Sequence, residues 1–324
     1  MHSLEANTLH MDDKYQLAIN HFHPSESGNL FNEIAYFKLH TESEHDSYMQ
    51  LVSVNNQQVH ATLAFYQVGE QAFASPKRGT FGGLTVHSSL EFKVVESFVT
   101  LALSYLKKLG AHEITIKLAP FSHDLALSSM MTNILLRQGF AIANHELNYD
   151  LIVDEQSLSD RASYGNRKRI RKCLRDGIIA EQVALDRYLD VYAVIKENRL
   201  RKGFGVSMSA EQLAQMVDTF PDRVVLFSAW ENAKKSKMIA SAVCLALSPS
   251  ILYVFYWGDI ADVEAYSPIT LLAATIYDYC QKNAFQILDV GTSTVAGEPN
   301  YGLINFKQHL DFTESLKPTF VWSK

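Results

Sequence analysis

Seven cations and no acid stand between Arg161 and Arg175: Arg161, Arg167, Lys168, Arg169, Arg171, Lys172 and Arg175. On a helix, Arg167, Arg171 and Arg175 fall on one face, and three guanidiniums there form a fork matched to phosphate oxygens. The same row reads equally well as a solvated face balanced by carboxylates elsewhere in the chain. Asp289 is a second candidate, since it follows the apolar run FQIL and comes just before Gly291. That places a carboxylate at the end of a buried strand, where it can act as a base, anchor an amine, or cap the turn that follows. The segment GTSTVAGEPNYGLINFK is long, polar and glycine-bearing, which suits a ligand-facing loop, with Ser293, Asn300 and Tyr301 as its binding candidates. Along ILYVFYWGD most aromatics belong to the core, but Tyr256 or Trp257 can reach a cleft, and Asp259 and Tyr266 lie where the strand ends. Ser267 and Pro268 open a helix whose free N–H groups either receive an anion or are simply capped.

The frame that positions these residues is large. A chain of 324 residues, 47% apolar and 20% charged, holds two domains of ordinary size and is neither disordered nor low in complexity. Its net charge of −6 argues against a surface that is a nucleic-acid platform throughout, while local basic patches remain compatible with it. Cys173, Cys244 and Cys280 are too few and too scattered for a disulfide framework or a paired-cysteine metal site, and His21 and His23 lack ligand-spaced partners, so no metal is expected. The opening run MHSLEANTLHMDDKY has no export-signal pattern and no window has the apolar length of a membrane helix, so the expected location is the cytoplasm.

Periodicity predicts an antiparallel meander over residues 47–86, an amphipathic helix stopped at Gly110, a strand at HEITIKLAP, a helix ended by Gly139 and a long strand at FAIANHELNYDLIV. A basic helix over residues 161–176 opens the second half. A helix around 186–201 follows, and then another whose start is a Ser209–Gln212 capping box. The first-half order then returns as three strands, a helix, a strand, a helix and a final strand. GAHEITIKLAP aligns with NAFQILDVGTS, and LLRQGF with FKQHLDF, at spacings that agree within one residue. This is the mark of two copies of one folding unit. The class is α+β, with the boundary expected in DEQSLSD, giving domains 1–156 and 157–324.

The strings NRKRIRKCLRDG, ENRLRKGFGVSMS, FPDRVVLF, IASAVCLAL, the Ser267-Pro268 pair and LDVGTSTVAGEPNYGLINFKQHLDF, in that order over residues 160–324, resemble the Fem-type peptidyltransferases and related GNAT-like acyltransferases. The resemblance implies two tandem GNAT-like domains, each a mixed, largely antiparallel sheet flanked by helices. It also implies a bacterial enzyme that moves an acyl or aminoacyl group to an amine of a small or lipid-linked phosphate-bearing acceptor such as a peptidoglycan precursor. The implied donor is aminoacyl-tRNA in Fem-type members and acyl-CoA in GNAT members. Phe306 and Lys307 fall where Fem-type enzymes place a Phe-Lys pair beside the reacting acyl group, so the resemblance implies them as the catalytic pair, and Asp289, read from its strand-end position, is the third catalytic candidate. Neither half has the Gln/Arg-x-x-Gly-x-Gly/Ala turn that holds the CoA pyrophosphate; the nearest approaches are Gly79 to Gly83 and the residues around Ser267. An acyl-CoA-dependent N-acetyltransferase and a non-catalytic binding module are the alternative readings.

Overall fold

A computed structural model describes residues 7–25, 28–263 and 266–324; the first six residues of the opening run lie outside these. Two compact units emerge, Met1–Leu147 with Ser315–Lys324, and Asn148–Glu314.

In the first unit, strands β1 (Asn7–His10), β2 (Tyr15–Ile19), β3 (Ser47–Ser53), β4 (Val59–Gly69) and β5 (Ala72–Ser75) pair antiparallel in sequence order, with a short helix α1 (Ile34–His40) between β2 and β3. A short β6 (Leu84–Val86) adds to β4. Helix α2 (Phe92–Lys108) buries Val95, Phe98, Val99, Ala102, Leu103 and Leu106, the face its three- and four-residue spacing predicts. Strand β7 (Glu113–Lys117) then lies parallel to β5. Helix α3 (Leu125–Arg137) and the long strand β8 (Ala141–Ile152) complete the order. The core of this unit is continuous from Leu17, Met49 and Leu63 through Phe98 to Ile114, Ile134 and Phe320.

The second unit repeats that order. After α4 (Leu158–Arg161) and the basic helix α5 (Tyr164–Arg175) come β9 (Ile179–Val183), α6 (Tyr188–Arg201) and α7 (Ala210–Thr219). The predicted capping box starts α7: the Ser209 hydroxyl accepts from Gln212 N–H, and the Gln212 side chain accepts from Ser209 N–H. Strands β10 (Val224–Trp230), β11 (Met238–Ser248) and β12 (Ile251–Asp259) form the meander. Helix α8 (Pro268–Lys282) leads to β13 (Ile287–Thr292), which lies parallel to β12, as β7 does to β5. A small ribbon of β14 (Thr294–Val295) and β15 (Glu298–Pro299), helix α9 (Tyr301–Gln308) and β16 (Thr313–Ser323) finish the chain. Among the described residues no helix is long and apolar enough to cross a membrane.

The closing strands explain why the units divide where they do. Asn148–Ile152 of β8 pairs with β13, within the second unit, and Thr319–Ser323 of β16 pairs with β7, within the first. The division therefore falls inside β8 and β16, whereas the sequence places it in the polar stretch after Ile152.

Alternation along β11 puts helices on both faces of the second sheet: Ser241 donates to Val191 O of α6, while Cys244, of opposite parity, lies in the field of Cys280 of α8. Gly258 shares the α6 face, and a Cβ there would stand 2.7 Å from Asn198 Cβ. Gly258→Ala is therefore expected to push α6 off β12 and lower stability by about 1–3 kcal/mol, read as a lower urea midpoint at unchanged m-value.

Candidate functional site

In the second unit, β12 and β13 pair only through Ile251–Tyr253 and Ile287–Asp289, although both strands run on. Beyond Tyr253 and Asp289 the sheet opens. At the same level the register of β13 against β8 slips between Asp289 and Thr292, and Gly291, at φ +75°, turns through the left-handed region that glycine reaches without strain. The bulge leaves the Gly291 and Thr292 carbonyls without ladder partners from β12. Lys307 supplies them. Its Nζ donates to Gly291 O at 2.8 Å and Thr292 O at 3.0 Å. From the other side, Asp289 Oδ1 accepts from Gly291 N–H at 2.6 Å and from Asn148 Nδ2 at 3.0 Å.

Both ionisable groups are buried, Lys307 at 1% exposure and Asp289 at 0%. Burial pulls the Lys307 ammonium down from the usual lysine range to about 7, against the opposing pull of the Asp289 carboxylate. The amine lies 5.4 Å from the centre of the Tyr149 ring. Two of its donors are committed to carbonyls in either charge state. What changes with protonation is the third position, an N–H when charged and a lone pair when neutral. Ser293 follows directly, 1% exposed, and its buried hydroxyl has no hydrogen-bond partner. Phe306, half-buried on α9, meets Trp257 edge to face at 5.9 Å. Asn300 starts α9: its N–H donates to Ser293 O, and its Oδ1 accepts from Leu303 N–H. Tyr301 is 71% exposed beside it.

Of the sequence candidates, Lys307, Asp289, Ser293 and Asn300 gather around this bulge, and Phe306, next to Lys307 on α9, packs on Trp257. The other candidates form separate groups. Tyr256 faces α6, where its hydroxyl is hydrogen-bonded to Ser207 and Arg199 lies over its ring at 5.6 Å. Asp259 is held by Asn198 at 2.6 Å and by Arg201 at 2.8 Å. Tyr266 carries Lys172 over its ring at 4.9 Å. Arg167 turns back onto the Asp160 and Ala162 carbonyls at 3.1 and 3.2 Å, Arg175 pairs with Asp176 at 3.3 Å, and Arg171 is exposed, so the three guanidiniums do not converge. Asn148 and Tyr149 complete the bulge site and were not singled out by sequence; the available signal was a polar pair of alternate residues, Asn148 and Asp150, in an otherwise apolar strand end.

The two nearest approaches to a pyrophosphate turn commit part of their N–H groups to acceptors within the protein. At α8, Tyr266 and Ser267 N–H donate to Val263 O, Pro268 has no N–H, and Thr270 N–H donates to Ser267 O. In the first unit, Gly82 N–H donates to Lys117 O and Gly83 N–H to the Ser75 hydroxyl. In these turns the N–H groups of Gly82, Gly83, Tyr266, Ser267 and Thr270 are thus committed to the protein's own acceptors.

No family model and no curated protein matches the chain. Solved structures do. FemX is similar over 93% of each chain, with a TM-score of 0.69 and 14% identity. The C-terminal domain of a protein assigned as a lysylphosphatidylglycerol synthetase from Agrobacterium fabrum is similar over 82% of each chain, with a TM-score of 0.57 and 11% identity. The L-PGS of Bacillus licheniformis is similar over 81% of this chain and 80% of its own, with a TM-score of 0.52 and 11% identity. The repeated order of strands and helices, the strand pair that opens beside Lys307 and these likenesses together give the chain the α+β, tandem GNAT-like fold of the Fem type.

Proposed function

We propose that this chain is an N-acyltransferase, moving an acyl or aminoacyl group to an amine, with Lys307 as the group that acts on the reacting carbonyl. The supporting observation is the buried amine at the opening of β12 and β13, fixed by two carbonyls and held near neutrality. As the acceptor amine attacks the acyl carbon, the carbonyl oxygen becomes an oxyanion, and the third N–H of the Lys307 ammonium donates to it. Collapse then breaks the acyl–oxygen bond. The amine gives up a proton, and the departing oxygen takes one. Asp289 acts as a positioning residue, holding the Gly291 bulge against which Lys307 is braced. Ser293 supplies a hydroxyl already free of other partners.

Of the donors the resemblance implies, an aminoacyl ester such as charged tRNA suits the site better than acyl-CoA, because neither half has the glycine turn that holds a CoA diphosphate, and the nearest approaches commit the Gly82, Gly83, Tyr266 and Ser267 N–H groups internally. For the acceptor we propose a phosphate-bearing amine of the peptidoglycan-precursor class. This is in keeping with the name of the lysylphosphatidylglycerol synthetase neighbour, whose product by that name carries an aminoacyl group on a phosphate-bearing lipid. The exposed cations of α5, Lys168, Arg171 and Arg175, are the proposed contact for the phosphates of tRNA.

The test is transfer of radiolabelled amino acids from a charged tRNA pool to a UDP-linked muramyl peptide, run beside acetyl-CoA with the same acceptor. Transfer from tRNA alone is the expected result. Transfer from acetyl-CoA alone would replace the donor, and binding of acceptor without turnover under either donor would make the chain a recognition module. Ser293→Ala removes a hydroxyl that bonds to no protein group, so its Tm is expected to equal or exceed that of the wild type, while kcat falls about tenfold.

A further inference from the structure

Three side chains of the first unit form a hydrogen-bonded row that the acyl-transfer reading does not use. His60, on β4, is bonded through Nε2 to Ser53 Oγ at the end of β3, at 2.6 Å, and through Nδ1 to Ser88 Oγ just past β6, at 2.8 Å. All three residues are half-buried. The backbone sets the row. Strand β3 turns back into β4 through residues 54–58, and His87 N–H donates to His60 O at 2.8 Å, which holds Ser88 beside the ring. Tyr15, the register partner of Ser53 on β2, meets the imidazole edge to face at 5.3 Å. Burial holds His60 below its ordinary value, so the ring is neutral, with one nitrogen a donor and the other an acceptor. With the proton on Nε2, that N–H donates to Ser53, and the Nδ1 lone pair accepts from the Ser88 hydroxyl. The row is then nucleophile, base and orienting group in order.

Ser88 also stands where a strand hands over to a helix. Between His87 and Val94, whose N–H groups donate to His60 O and Glu91 O, the N–H groups of Ser88 to Lys93 have no acceptor among the described residues, and Glu91 gives α2 no side-chain cap. A cavity of about 480 Å³ opens at this turn, with Met11, Tyr15, Ser89, Leu90, Lys93 and Val94 among its lining. Ser89 follows Ser88 in the chain and Tyr15 is the ring against His60, so the cavity borders the row through one neighbour in sequence and one in space. Its apolar lining at Met11, Tyr15, Leu90 and Val94 suits a small, uncharged acyl group.

We propose that Ser88, His60 and Ser53 form a second reactive centre, a serine-hydrolase site for carboxylic esters of small acyl groups, with Ser88 as the nucleophile. Ser88 Oγ bonds to the acyl carbon as its proton passes to His60 Nδ1, and the resulting oxyanion is met by the free N–H groups that begin at Ser89. Collapse breaks the acyl–oxygen bond, and the departing alcohol takes the proton from His60. Water then adds to the acyl-serine with His60 again taking the proton, and its return to Ser88 releases the acid. Ester and water become acid and alcohol, with no further reactant. The centre needs no part of the Lys307 site, so its test is independent of transfer activity.

The test uses the full chain with a fluorophosphonate, the adduct located by peptide mass mapping, and with p-nitrophenyl acetate as the ester. One phosphonyl group on Ser88 is expected, in the wild type and in Lys307→Met alike. Ser88→Ala should abolish it while keeping the wild-type Tm, since only a half-buried hydroxyl is lost. His60→Gln, which keeps hydrogen-bonding groups but no base, should slow labelling and ester turnover about a hundredfold or more. Ser53 acts through His60 as a positioning residue, so Ser53→Ala should lower kcat about tenfold at unchanged KM, and Ser53→Thr should restore it. No adduct in the wild type, an adduct on another residue, or equal labelling rates in the wild type and His60→Gln would overturn the proposal.

Discussion

Lys307→Met is expected to lower kcat/KM for acyl transfer by about a hundred- to ten-thousandfold, the range associated with losing a donor to a developing oxyanion or a positioned proton-transfer group. The variant should fold. Methionine fills a similar volume, and removing a buried charge offsets the two carbonyls, at Gly291 and Thr292, that lose their donor. Stability against pH separates the charge from the packing. The Lys307 amine titrates at about 7 in the folded chain against an ordinary value of 10.5. Below pH 7 the ammonium is present in both states and the full penalty of burying it applies. Between the two values the folded chain has released the proton and the unfolded chain still holds it, so stability rises with pH, and above the higher value the penalty is gone. From pH 7 to pH 9 the wild type should therefore gain roughly 2–3 kcal/mol relative to Lys307→Met, measured by urea unfolding at each pH. A difference that does not change with pH would mean that the amine is not held near neutrality.

Asp289→Ala is expected to be the most destabilising single change at the site, by about 3–5 kcal/mol. Asp289 is fully buried and accepts from both the Gly291 N–H and the Asn148 amide, so alanine leaves two buried donors without acceptors and removes the carboxylate that favours the Lys307 ammonium. Chemical denaturation should show the loss as a lower midpoint. Asp289→Asn keeps an acceptor oxygen for Gly291 and should retain most of the stability, but without the negative charge Lys307 should titrate lower still. A wild-type midpoint in Asp289→Ala would remove the bulge from the account.

Much of this architecture is legible in the sequence because it rests on local rules. The stops at Gly110, Gly139 and Gly177 are positive-φ glycines, at +88°, +86° and +83°, that end helices where the apolar spacing runs out. The start of α7 is a two-residue hydrogen-bond exchange visible in the letters Ser209 and Gln212. Lys307 and Asp289 both bind Gly291, one at its carbonyl and the other at its N–H. What local rules miss is long-range. An exposed lysine is what helix periodicity alone expects near the end of α9; only the bulge in β13, with carbonyls lacking partners, makes a buried one stable there. Arg167 shares a face with Arg171 and Arg175 by spacing, yet the break between α4 and α5 offers it the carbonyls of Asp160 and Ala162, and it turns away. The pairing of the closing strands, the end of β8 with β13 and the end of β16 with β7, is a matter of partners that no residue pattern specifies. Strands β1 and β2 and helix α1, before residue 47, are short and interrupted by polar residues, and periodicity marks none of them.

The most direct measurement is the single-turnover rate of aminoacyl transfer from charged tRNA to the muramyl-peptide acceptor between pH 6 and 9, in the wild type and in Asp289→Asn. If the Lys307 ammonium donates to the oxyanion, the rate falls as pH rises, with a midpoint near 7 in the wild type and a lower one in the variant. A rate that is flat across this range, or that rises with pH in both proteins, would contradict the role given to Lys307.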